Sequence, residues 1–299
     1  MILMVLFVTI FASLSLITSQ PDTSATYDEK LQVGIEAFYN TEWEKADSLF
    51  QELMEEDEND PQPHFFSSMM PFWEYFFIEQ NEELADEFLS RSEKAVNLSE
   101  QKLDSSPNDT TMVLLLSGLH GYRSLVAAGE SNYRVAIRSG MTGFSYTRKL
   151  LSLDTDRPDA RIGRGMFYYM LGSVPSELKW ATNIAGLKGD MEQGFEELKK
   201  AAESDSYVSN DAIMLLMYLY NKEERYEEAL SYAEKLTERL PKNIIFKFKK
   251  AEILESSGNK DQARELFAKI AESNHQRLST LVEKSREKVE QLSDLTQNY

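Results

Sequence analysis

ERYEEALSYAEKL (residues 224–236) and GNKDQARELFAKI (residues 258–270) decide the fold. Each is a short run of acidic and basic residues with apolar positions at helical spacing. Ala229 and Ala263 stand 34 residues apart at matching places in the two. Each alanine is preceded twelve positions earlier by an apolar residue of another helix, Met217 or Ala251. A helix-turn-helix unit that recurs with a fixed period cannot bury its apolar face alone. Stacking successive units does so, and the product is a solenoid.

Working outward, apolar residues at helical spacing run through almost every segment after residue 25, with short polar breaks and no strand alternation. The expectation is an all-α chain. Residues 210–243 carry Leu216, Tyr220, Tyr226, Ala229 and Pro241, and residues 244–277 carry Ala251, Gly258, Ala263 and Phe267. Near the other end, residues 27–60 carry Gly34, Trp43, Ala46 and Phe50. Small residues at the eighth and twentieth positions let two helices approach closely, and the aromatics fill the gap to the next pair. This pattern resembles the tetratricopeptide repeat. The resemblance implies an α-α superhelix of about six helix pairs with a terminal cap. The repeat-like units expected are 27–60, 61–104, 109–153, 157–203, 210–243 and 244–277, with the cap at 275–297, in one domain over 25–297.

One unit is stretched. Gly165 and Gly194 occupy the eighth and twentieth positions, yet 29 residues separate them instead of 12, so seventeen residues have been inserted. They fall within 171–190, LGSVPSELKWATNIAGLKGD. On a helical wheel Val174, Leu178, Trp180, Ala181, Ile184 and Ala185 share an arc of about 160°. Trp180 and Ile184 are candidate contacts, either folded back over the solenoid or presented to a partner or membrane. The span from Met112 to Tyr220 is similar to a divergent tetratricopeptide family that includes eukaryotic inclusion-body-clearance proteins of the outer mitochondrial membrane and exported bacterial relatives. RGMFYYMLGSVPSELKWATNIAGLKGDMEQGFEEL carries that likeness. It implies a helical-repeat scaffold that works at or near a membrane.

The chain begins MILMVLFVTIFASLSLITSQ, an uncharged run followed by small polar residues. From Ile2 to Ile17 it falls short of the roughly 20 residues a spanning helix needs, and its shape is that of an export signal over 1–19. The expected address is the periplasm or the outer-membrane surface facing it. There is no cysteine, which excludes disulfides and thiolate chemistry. Thirty-two basic against 50 acidic residues give a net charge of −18, which argues against nucleic acid as a partner.

Two further stretches stand out. PHFFSSMMPFWEYFFIEQ holds seven aromatics on more than one helical face, too many for a single buried stripe. Neighbouring helices, another subunit, a lipidic ligand or a membrane could cover them, so Phe66, Trp73 and Phe77 are candidate contacts. GLHGYRS and SNYRVAIRSG cluster Tyr122, Arg123 and Arg134 in an acidic protein, either to grip a carboxylate or phosphate or to balance neighbouring acids. No nucleophile elbow, metalloprotease helix, phosphate loop or dinucleotide fingerprint occurs, and the lone Ser176-Glu-Leu-Lys179 lacks its companion motifs. The three histidines, at 64, 120 and 275, are too dispersed for a metal site. The expectation is therefore a non-enzymatic scaffold without cofactor or metal that binds a protein or peptide in its concave groove. The alternative is a carrier of a hydrophobic ligand or lipid.

Overall fold

A computed structural model describes residues 26–153, 158–173, 189–205 and 208–297. Among them are thirteen helices and no strand. In chain order these are α1 (Tyr27–Tyr39), α2 (Trp43–Glu56), α3 (Pro61–Phe77), α4 (Glu82–Ser105), α5 (Thr110–Gly129), α6 (Tyr133–Ser152) and α7 (Pro158–Gly172). The remainder are α8 (Met191–Ala202), α9 (Ser209–Lys222), α10 (Tyr226–Arg239), α11 (Ile244–Ser256), α12 (Lys260–Ala271) and α13 (Ser279–Gln297). Successive helices pack in pairs from α1·α2 to α11·α12, and α13 lies on α12. This is the all-α, tetratricopeptide-like solenoid that the 34-residue spacing predicts.

Local chemistry sets the helix ends. Thr26 and Glu29 close a capping box on α1, Asn81 accepts from the Leu84 N–H at the start of α4, and Asp190 accepts from the Gln193 N–H at the start of α8. The turn inside a pair is a repeated device. Thr41, Ser131, Glu224 and Gly258 all have left-handed backbone, with φ of 57°, 58°, 59° and 87°. After each, the next N–H reaches back five residues. Glu42 donates to Ala37, Asn132 to Ala127, Arg225 to Tyr220 and Asn259 to Leu254, at 2.7–2.9 Å. That is the Schellman closure, and it turns the chain the same way in the first, third, fifth and sixth pairs.

The small residues of the repeat do their expected mechanical work. Ala46, Ala229, Ala251 and Ala263 are fully buried. A Cβ on Gly34 would stand 2.7 Å from the Phe50 ring. Gly165 and Gly194 meet although 29 residues separate them: a Cβ on Gly194 would lie 2.8 Å from the Gly165 carbonyl oxygen. The inserted residues thus leave the α7·α8 contact intact.

One expectation is corrected. An open concave groove does not run the length of the molecule, because its two ends fold onto each other. Trp73 of α3 lies 5.3 Å from Phe246 of α11, and Phe76 lies 5.1 Å from Tyr218 of α9. The buried Asn243 side chain donates to the Tyr39 carbonyl at 2.5 Å, and the Tyr39 hydroxyl donates to Asp211 at 2.6 Å. Lys284 of α13 donates to the Ile78 carbonyl at 2.7 Å. One continuous apolar cluster therefore joins α1–α4 to α7–α13. A second, smaller cluster lies between α4, α5, α6 and α7.

Candidate partner-binding surface

The aromatic helix α3 is the keystone of that closure. Phe66 sits 5.5 Å from Phe38 and 5.8 Å from Phe50, Trp73 sits 4.7 Å from Phe38, and Phe77 meets Trp73 edge-on at 5.9 Å. All three are buried, so the surplus of aromatics is covered from within, as neighbour packing would have it. They are packing residues, and they offer no face to a guest. Tyr122 is half-buried, 4.5 Å from Phe72, and burial beside Asp211 pushes its hydroxyl pKa well up. Arg123 donates through Nη1 to the Leu89 carbonyl at 2.6 Å and to Ser92 Oγ at 2.7 Å, fastening α5 to α4. Its role is to satisfy buried acceptors rather than to grip a ligand. Trp180 and Ile184 lie outside the described residues.

Half-buried carboxyls flank the closure. Burial lifts Asp211 to about 6, with the Tyr39 hydroxyl pulling the other way. Burial lifts Glu74 to about 7, opposed by Arg277 and reinforced by Glu87. Among the described residues no group of three or more His, Cys, Asp or Glu could hold a metal ion, and no helix is long and apolar enough to cross a membrane.

Arg134 is different, because it is exposed and belongs to a surface. Helix α6 carries Arg134, Arg138, Arg148 and Lys149 and not a single acidic residue, in a chain of net charge −18. None of the four is ion-paired among the described residues. Beside them, Tyr133, Ile137 and Met141 recur at one-turn spacing and are 65%, 64% and 70% exposed. Met170 of α7, 62% exposed, adds to them. The inward face of α6 is made of small residues, Ala136, Ser139 and Gly143, with Leu150 at its end. A Cβ on Gly143 would stand 3.1 Å from the Gly121 backbone nitrogen, and Ser117 and Thr147 hydroxyls meet at 2.6 Å. So α6 presses its thin side onto α5 and turns its bulky side out.

Sequence reading found Arg134 through its cluster but missed Ile137 and Met141, which on a wheel look like any core stripe. The absence of acid along twenty residues was the available signal.

Residues 159–281 match the model of the family described as Iml2/Tetratricopeptide repeat protein 39. Over that span the chain is similar to this family, in keeping with its tetratricopeptide-like helix-pair fold. The matched span is less than half of the chain, and it covers α7 to the first turn of α13, including the stretched pair. Among solved structures, the chain is similar to a thermophilic TPR protein of Thermus thermophilus, with 16% identity, a TM-score of 0.44, and coverage of 77% of this chain and 99% of that one. No curated protein matches in sequence.

Proposed function

We propose that this protein is an exported, non-enzymatic scaffold that binds a protein partner in the periplasm or at the membrane surface facing it. A tetratricopeptide-like frame supports the scaffold reading, since such frames typically hold protein partners on rigid helical faces. The observation that carries it is the outer side of α6, where exposed Tyr133, Ile137 and Met141 run alongside arginines that have no ion pair among the described residues, on a well-packed frame. The uncharged apolar run from Ile2 to Ile17 supports export. The carrier alternative has less support, because Phe66, Trp73 and Phe77 of the aromatic helix are taken up by packing, while Trp180 and Ile184 of the inserted segment lie outside the described residues.

Cross-linking in the native cell, with identification of the captured protein, tests the scaffold. A defined protein recovered reproducibly supports it, and recovery of none refutes it. Cell fractionation with N-terminal sequencing tests the address. An intact Met1 on a cytosolic protein refutes export.

A further inference from the structure

The exposed face of α6 has a shape and a charge pattern specific enough to name its occupant. Helices α6 and α7 run antiparallel. A Cβ on Gly163 would touch the Leu150 side chain at 2.5 Å, and Phe144 stacks on Phe167 at 5.6 Å. Extending that register sets Met141 level with Met170. The apolar lane therefore runs from Tyr133 through Ile137 to Met141 and Met170, and along α6 it covers about 12 Å. On the helical wheel Tyr133, Ile137 and Met141 span about 80°, and Arg134, Arg138 and Lys149 occupy the next arc of about 60°. Arg134 and Arg138 stand one turn apart, with the apolar lane on one flank only.

We infer that the outer face of α6, with Met170 of α7, docks an acidic amphipathic helix of a partner protein. This rests on the scaffold reading above and specifies its partner. A narrow lane two to three turns long matches the apolar anchors of one helix at spacings of three and four residues. The one-sided row of arginines matches carboxylates one turn apart on that helix, and guanidinium groups bind carboxylates in a fixed two-bond geometry. A bilayer fits less well. A flat anionic surface would also meet the acidic surroundings of a chain with net charge −18, whereas a single helix touches only α6 and Met170 of α7. Among the described residues the α6·α7 junction is also the lightest between successive pairs.

The probe is a labelled synthetic helix of about 18 residues with a leucine stripe flanked on one side by glutamates. A lysine-flanked version and a scrambled version of the same composition serve as comparisons, and binding to the full chain is read by fluorescence anisotropy. Saturable binding of the glutamate helix is expected, weakening with salt. The Ile137→Ser/Met141→Ser variant loses about tenfold or more in affinity. The Arg134→Glu/Arg138→Glu variant switches preference to the lysine-flanked helix. All four residues are exposed, and thermal melting confirms that both variants fold as the parent does. Equal binding of the glutamate, lysine and scrambled peptides overturns the inference, and so do variants that bind as the parent does. It is also overturned if phosphatidylglycerol vesicles, or a second copy of the chain, occupy this face while the peptide does not. In the native cell, a partner captured equally by parent and both variants refutes this docking site and leaves the scaffold standing. Failure of the parent to capture any protein refutes the scaffold itself.

Discussion

The contact between Gly165 and Gly194 is where the stretched pair is either correctly joined or not, and Gly194→Ala tests it. An added Cβ would lie 2.7 Å from the Tyr169 backbone nitrogen, 2.8 Å from the Gly165 carbonyl oxygen and 2.9 Å from Tyr169 Cβ. Two of those neighbours are main-chain atoms of α7 and cannot swing aside, so α7 and α8 must separate by roughly half an ångström or more to restore normal contact. Overpacking of this kind costs about 3 kcal/mol, the top of the usual range, because backbone resists it. Alanine's better helix propensity offsets about 1 kcal/mol of that. The net is a loss of about 2 kcal/mol, which for a chain of this size lowers the melting temperature by about 3 °C. Gly121→Ala is the matched control, for it sits inside α5 and a Cβ there meets nothing within 4 Å. It is expected to stabilise by about 0.5–1 kcal/mol. Thermal melting followed by circular dichroism compares the two. If Gly194→Ala melts with or above Gly121→Ala, the helices of the fourth pair do not meet at these glycines, and the repeat arithmetic fails with them.

Three other outcomes follow from the same geometry. Glu224 holds φ of 59° in an exposed turn where Gly258 serves at the equivalent place, so Glu224→Gly should stabilise by about 1 kcal/mol, read as a higher melting temperature; no gain would deny the left-handed turn. Asn243 is buried, donates to the Tyr39 carbonyl and accepts from the Phe246 N–H, so Asn243→Ala should cost about 2–3 kcal/mol in denaturant titration; a change under about 0.5 kcal/mol would deny that it clasps the two ends. Asp211 concerns pH. Burial lifts its folded pKa to about 6, above the unfolded carboxyl, so the folded chain holds the extra proton and stability from this group rises as pH falls from 7 towards 5. Asp211→Asn, neutral throughout and still able to accept from Tyr39, should gain more in melting temperature over the parent at pH 8 than at pH 5; a constant or reversed difference would refute the burial of this carboxyl.

How far the sequence could be read depended on the distance over which each feature is encoded. The turn at Gly258, the alanines at 229 and 263 and the insertion between Gly165 and Gly194 each reside in one unit or in the comparison of two, so period and composition expose them. Closure does not reside in any unit. Asn243 and Tyr39 are 204 positions apart, and each stretch by itself says only that a helix has an apolar side. The excess of aromatics in α3 did signal that one stripe was not enough, but the sequence could not say that Phe246 and Tyr218 supply the second wall. Arg123 misled for a related reason: a basic residue in an acidic chain looks available until tertiary packing brings the Leu89 carbonyl within 2.6 Å.

The same closure bears on where a partner can bind. In an open solenoid the inner helices line the groove and the outer ones complete the wall. Here α3 fills the space between the first pairs and the last, and its aromatic surplus is what makes that possible. On the proposed reading, binding is thereby displaced from the inner helices to an outer one. On α6 the surplus is reversed: the inward side is small enough for α5 to press against, and the large apolar and basic residues are left facing out. A chain under pressure only to fold would place Ile137 and Met141 against α5 and glycine outside, since burying such side chains is worth about 1.5–3 kcal/mol each. Their outward placement, beside arginines that have no ion pair among the described residues, is the arrangement that a binding surface explains and folding alone does not.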